Sequence, residues 1–138
     1  MNHWLYPANI KLYDVLGAFA ASKVVWPIRS KVELGDVIFI YLAAPYQQVA
    51  YLCKVVEVNL DDQAVAELVQ PFLKDQNYQK PPTTLFMMLQ VDQAFPLQDS
   101  SPLSFFALKQ NGFKGMLMGP RKLENCLSLL DYLRSHAG

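Results

Sequence analysis

The chain of 138 residues, 52% hydrophobic and 17% charged, has the composition of an ordinary globular protein, which excludes disordered, collagen-like and coiled-coil readings. At that length a fold hides roughly two-thirds of the surface its unfolded chain exposes, enough for a full core in one unit spanning 1–138. Twelve basic residues balance twelve acidic ones, so bulk charge announces no nucleic-acid partner, although residues 1–53, 54–108 and 109–138 carry nets of +1, −4 and +3.

His3 to Tyr6 is short, aromatic and stopped by Pro7, which predicts a strand leading into an irregular turn. Asp14 to Ala21 follows as a short helix, with Val15, Ala18 and Phe19 near helical spacing and Asp14 as its N-cap. Leu34-Gly35-Asp36 is a turn signal. Behind it, Val37 to Leu42 is a β-branched and aromatic run that predicts a central strand buried on both faces. Val49 to Leu60 gives a second long strand, and the two read as a hairpin.

Residues 61 to 84, acidic and then rich in Gln and Pro, predict a loop with at most one turn of helix. Leu85 to Phe95 is a further strand stopped by Pro96. Ser101-Pro102 starts a helix that Asn111-Gly112 ends near Gln110, and Gly119-Pro120 starts a last one with an apolar stripe of Leu123, Cys126, Leu127, Leu130 and Leu133. Four or five strands with short helices between and after them predict an α+β fold on a curled sheet or small barrel.

Much chemistry is missing. There is no glycine-rich phosphate loop, HExxH, paired CxxC or GxSxG motif. His3 and His136 lie within three residues of the ends, where a general base is seldom held firmly. Cys53 and Cys126 fall on a strand and on an apolar stripe, the places of small buried hydrophobes, and suit neither a disulfide framework nor a metal knuckle. No cofactor or metal is expected, and no catalytic residue is assigned: a single Asp36, Lys54 or Glu57 in a pocket stays open, with nothing to raise these above surface charges. The longest uncharged stretch, Val37 to Cys53, is broken by Pro45, Gln47 and Gln48, and no secretory leader is visible, so the expectation is a cytoplasmic protein without a membrane helix.

Aromatic and polar residues cluster where strands should end. Trp4, Tyr6 and Asn9 surround the exit of the first strand, Trp26 and Arg29 lie in the next connection, and Tyr41 to Tyr46 span the exit of the central strand. Brought together, these ends make a cleft with aromatic walls and amide and guanidinium donors, suited to a flat heterocycle. The tryptophans equally suit a small core, Tyr41 suits the core better than a ligand because it continues an apolar strand, and Arg29 suits a surface pair with Asp36 or Glu33.

Trp4-Leu5-Tyr6-Pro7-Ala8-Asn9, Tyr13-Asp14-Val15, Trp26-Pro27-Ile28-Arg29, Gly35 to Tyr41 and Tyr51 to Val55, with a closing Gly119-Pro120-Arg121, together resemble the EVE domain family. That family has a PUA-like fold and is related to the YTH readers of methylated adenine in RNA. The resemblance implies a PUA-like curled mixed β-sheet or small barrel with flanking short helices, and a pocket for a modified base of DNA or RNA. By position, Trp26 would stack, Asn9 and Arg29 would face the pocket or the neighbouring backbone, Tyr41 and Ala43 would line its floor, Pro7 would stand beside it, and Trp4 would pack beneath. Some members carry Lys-Ser-Glu-Pro after the opening Trp-Leu, whereas this chain has Tyr-Pro-Ala-Asn, the form associated with modules beside restriction-type nucleases, which makes such a nuclease a candidate partner.

Two functions compete. The first is a non-catalytic reader of a flipped or unpaired modified base. The second is a small hydrolase acting on a modified nucleobase or nucleoside, as in PUA-like relatives of the ASCH type, which needs a lysine and an acid converging on the pocket. Lys54 with Glu57 is the nearest such pair, but its spacing sends the two to opposite faces of a regular strand. An interaction module built on the acidic, Gln-rich middle segment is a third possibility.

Overall fold

Side-chain alternation along two parallel strands organises the molecule, whose computed structural model describes residues 1–74 and 84–137. In β1 (His3–Ala8), Trp4, Tyr6 and Ala8 face one side and Leu5 the other. In β3 (Val37–Leu42), Ile38, Ile40 and Leu42 share the first side, while Phe39 and Tyr41 share the second. Both faces are covered, so the apolar run reads as continuous although each face follows the two-residue period of a strand.

The other elements are α1 (Val15–Ala18), β2 (Lys23–Pro27), β4 (Gln48–Leu60), α2 (Asp62–Val69), β5 (Phe86–Ala94), α3 (Phe105–Gln110), β6 (Arg121–Lys122) and α4 (Leu127–His136). The described strands make one mixed sheet in the order β2-β5-β4-β3-β1-β6, with β1 and β3 parallel and the other pairs antiparallel. The sheet curls without closing, an α+β architecture. The curl brings the two margins together: beyond β2, the Arg29 N–H donates to the Tyr6 hydroxyl of β1 at 3.3 Å, and Ser30 Oγ shares a hydrogen bond with the same hydroxyl.

Inside the curl, Trp4, Tyr6, Trp26, Ile38, Ile40, Cys53 and Met87 form the first core. On the outer face, Leu5, Phe39, Tyr41 and Val49 pack against α3 and α4 through Leu108, Leu129, Leu130 and Leu133. Each such burial contributes about 1.5–3 kcal/mol before entropy is counted. A third cluster seats α2 on β2 through Val25, Val65, Val69 and Phe86.

Asp36, which is 1% exposed, ties the start of β1 to the turn before β3. Its Oδ1 accepts from the Asn2 N–H (2.9 Å), and its Oδ2 accepts from Trp4 Nε1 (3.1 Å) and the Glu33 N–H (3.0 Å). These donors, not Arg29, satisfy the buried carboxylate.

Several expectations need correction. Lys23–Pro27 is a strand pairing with β5 along all five residues, not a connection. Asp61-Asp62 opens the eight-residue helix α2, with Asp61 Oδ1 accepting from the Ala64 N–H at 2.8 Å, because the alanine-rich stretch behind the cap favours a helix over a loop. The rest of the Gln- and Pro-rich segment, 75–83, lies outside the described residues. The helix expected from Ser101 starts three residues later behind Ser104, whose hydroxyl accepts from the Ala107 N–H, while Ser101 is buried and accepts from the Leu103 N–H. After Gly119-Pro120 the chain first forms β6 and a single 3-10 turn, Leu123–Asn125. The inner stripe of α4 is Leu129, Leu130 and Leu133, and Leu127 is exposed.

Candidate functional site

Parallel pairing of β1 and β3 puts their C-terminal ends side by side, and the Ala43 N–H extends the ladder by donating to the Ala8 carbonyl at 3.1 Å. Opposite them stands the end of β2, held close by the Tyr6 hydroxyl. Between these ends opens a cleft of about 810 Å³, large enough for a nucleobase and part of its sugar. One wall is the segment after β1, where Asn9 Oδ1 accepts from the Lys11 N–H at 2.9 Å and fixes a local turn. The Lys74 N–H to Leu12 carbonyl and Asp14 N–H to Phe72 carbonyl bonds tie that wall to the end of the α2 segment. Leu117 to Pro120 form the facing rim.

Trp26 forms the back. It is 8% exposed, yet the cleft reaches it. Edge-on contacts from Tyr13 (5.5 Å between centroids, 80° between planes) and Phe19 (5.3 Å, 65°) fix the indole. Such aromatic pairs add about 0.5–1.5 kcal/mol beyond area burial, so the indole is a rigid surface. Burial pushes the Tyr13 phenol up to about 12, with the Asp14 charge adding to the effect, and burial also raises the Tyr6 phenol against the opposing pull of Ser30 and Arg29. Both are neutral hydrogen-bonding groups at physiological pH.

Among the described residues that line the cleft there is no Asp, Glu, His or Cys; the charged ones are Lys11 and Arg29, both exposed. No carboxylate among the described residues lies within ion-pair distance of the Arg29 guanidinium. The cleft thus joins a neutral aromatic interior to a cationic rim.

Of the residues singled out in the sequence, Pro7, Asn9, Trp26, Arg29 and Ala43 come together on this cleft. Tyr41 does not. Strand alternation turns it to the outer face, where it is buried edge-on to Phe105 (6.1 Å), so it belongs to the second core and not to the floor. Trp4 is buried in the first core with its indole N–H on Asp36. Lys54 and Glu57 are exposed on β4 away from the cleft.

Tyr6, placed in the aromatic cluster by the sequence, does line the cleft, whereas sequence reasoning missed Tyr13, Lys11 and the Leu117–Pro120 rim as cleft-forming residues. Tyr13, Gly119 and Pro120 carried a signal, since they sit in the segments quoted for the family resemblance. Leu117 and Met118 carried none, since an approach across about 110 residues has no local signature.

Among the described residues no group of His, Cys, Asp and Glu could hold a metal ion, and no helix is long and apolar enough to cross a membrane.

No family model matches the chain, and none of the curated proteins matches it. Its fold is similar to that of ASCH from Zymomonas mobilis, with a TM-score of 0.63 and 14% identity over 98% of this chain and 95% of that one. It is similar to that of human THYN1, solved with DNA containing 5-methylcytosine, with a TM-score of 0.61 and 16% identity over 98% of this chain and 96% of that one. A hypothetical protein from Leishmania major is similar as well, with a TM-score of 0.60 and 15% identity over 98% and 93% of the two chains. At such identities the likeness concerns the fold, which these structures share from end to end.

Proposed function

We propose that this chain is an EVE-type, PUA-like reader, a single module over 1–138 that receives an unpaired or flipped modified base of DNA or RNA in the cleft and does no chemistry on it. The carrying observation is the cleft itself: aromatic at the back through Trp26 and Tyr13, and charged, among its described lining, by Lys11 and Arg29 alone. The neutral interior suits a base and the cationic rim suits the phosphates on either side of it. The 5-methylcytosine DNA held by human THYN1 points the same way for a chain with this fold. A hydrolase would need an acid near Lys11, and none is present in the described lining.

Stacking one base on an aromatic surface is worth about 1–3 kcal/mol, a factor of roughly 5 to 150 in affinity. Asn9 then selects among the substituents at the base edge, and a restriction-type nuclease is the partner such a reader would direct. The test is titration of single-stranded and duplex oligonucleotides, as DNA and as RNA, carrying 5-methylcytosine, 5-hydroxymethylcytosine or N6-methyladenine, each against its unmodified twin. At least one modified form should bind more tightly. Contact with about two phosphates predicts a shallow salt slope near −2 in log affinity against log salt for duplex DNA. Equal binding of every modified and unmodified pair would overturn the reading.

A further inference from the structure

We propose that Met118 is a wedge that enters the base stack when a nucleotide is drawn into the cleft, an inference that rests on the base-reading function above. Met118 is 86% exposed, more than any other large apolar side chain among the described residues, and it lines the cleft beside Gly119 and Pro120. Its neighbour Leu117 packs against the outer core, whereas Met118 is left in solvent. An apolar side chain that gains almost nothing from its own fold, yet sits at the entrance of a base-sized cavity, is placed to gain from a ligand.

The backbone beneath it is braced independently of that side chain. Arg121 Nη1 donates to the Lys114 carbonyl (2.7 Å) and Nη2 to the Met116 carbonyl (2.8 Å), while the guanidinium lies 4.7 Å from the centre of the Phe113 ring. Gly115, at a φ of +79°, lets the chain turn at that fork; a Cβ there would come within 3.4 Å of Arg121 Nη2 and meet the strain of the left-handed region. Arg121 is thereby committed to holding the rim, and Lys11 and Arg29 across the cleft are the cations left to grip phosphate.

Extruding a base leaves a hole in the duplex stack whose closure opposes the flipped state. Proteins that unstack base steps fill the gap with apolar side chains, methionine among them, and the unbranched thioether adapts to an irregular gap. Met118 would fill the vacancy while the base rests against Trp26. A single strand has no stack to close, so the wedge should matter for duplex alone.

The experiment compares the natural protein with Met118→Ala and Met118→Leu on the oligonucleotide panel above, with 2-aminopurine beside the modified base to report unstacking. For Met118→Ala we expect affinity for the preferred modified duplex to fall about tenfold or more, with the single strand of the same sequence changed less than about twofold. The 2-aminopurine brightening on duplex should fade in parallel, and Met118→Leu should restore both. Unaltered duplex binding by Met118→Ala, or an equal loss on duplex and single strand, would overturn the wedge while leaving base reading intact. A natural protein that prefers no modified oligonucleotide would overturn both. So exposed a side chain should leave the melting temperature of every variant unchanged, which separates these outcomes from misfolding.

Discussion

Removing one hydroxyl should loosen the seam that makes the cleft. In Tyr6→Phe the ring stays in the inner core, but Ser30 Oγ loses its partner and the Arg29 N–H loses its acceptor. Two neutral hydrogen bonds contribute about 0.5–1.5 kcal/mol each, and the lower half applies because the 3.3 Å bond is long and water can reach the half-buried Ser30. The expected loss is about 1–2 kcal/mol. With an unfolding entropy of about 2.1 cal/mol/K per residue over this chain, near 0.29 kcal/mol/K in all, that corresponds to about 3–7 °C in Tm. Urea unfolding followed by tryptophan emission measures the loss, and Ser30→Ala completes a double-mutant cycle with an expected coupling of about 0.5–1 kcal/mol. Oligonucleotide binding should weaken too, since the chain carrying Arg29 would no longer be held at the rim. Additive effects of the two substitutions within about 0.3 kcal/mol, or a Tyr6→Phe protein as stable as the natural one, would refute the seam.

The two tryptophans give a second test, because Trp26 backs the cleft and Trp4 lies on Asp36. In Trp4→Phe the remaining emission should quench when a modified oligonucleotide binds, whereas in Trp26→Phe it should stay constant. Buried Gln48 donates to the Pro96 carbonyl (2.9 Å) and accepts from the Gln98 N–H (3.1 Å), which pins the 96–103 connection across the outer core. Gln48→Ala should cost about 2–4 kcal/mol in chemical denaturation, because both backbone groups lose their partner. At Glu124, partial burial raises the carboxyl, but hydrogen bonds from the His3 N–H and imidazole outweigh it and hold the group below the ordinary carboxylate range. A depressed carboxyl contributes stability that is present above the unfolded value, about pH 4.3, and lost as pH falls through the lower folded one. Acid unfolding of Glu124→Gln should therefore begin from lower stability at neutral pH and show a flatter decline below about pH 4.

Read alone, the sequence determined two of the three strands whose ends frame the cleft, β1 and β3, together with β4 beside them. Val37 to Leu42 and Val49 to Leu60 announce themselves through β-branched and aromatic runs, Asp14 caps its helix as expected, and Pro7, Asn9, Trp26, Arg29 and Ala43 do meet. Local chemistry suffices there, because a propensity or a cap acts over a few residues. What it left open was direction. Tyr41 and Ile40 are neighbours in an unbroken apolar run, and a strand covered on both faces gives no polar alternation to show which of them looks inward. Only the placement of α3 and α4 outside the curl decides that Tyr41 is core, and only the pairing of β2 with β5 makes Trp26 a strand residue backing the cleft. Likewise Met118 and Asn9 reach one cleft because curvature joins distant segments, and curvature is a property of the whole sheet, not of any window of sequence.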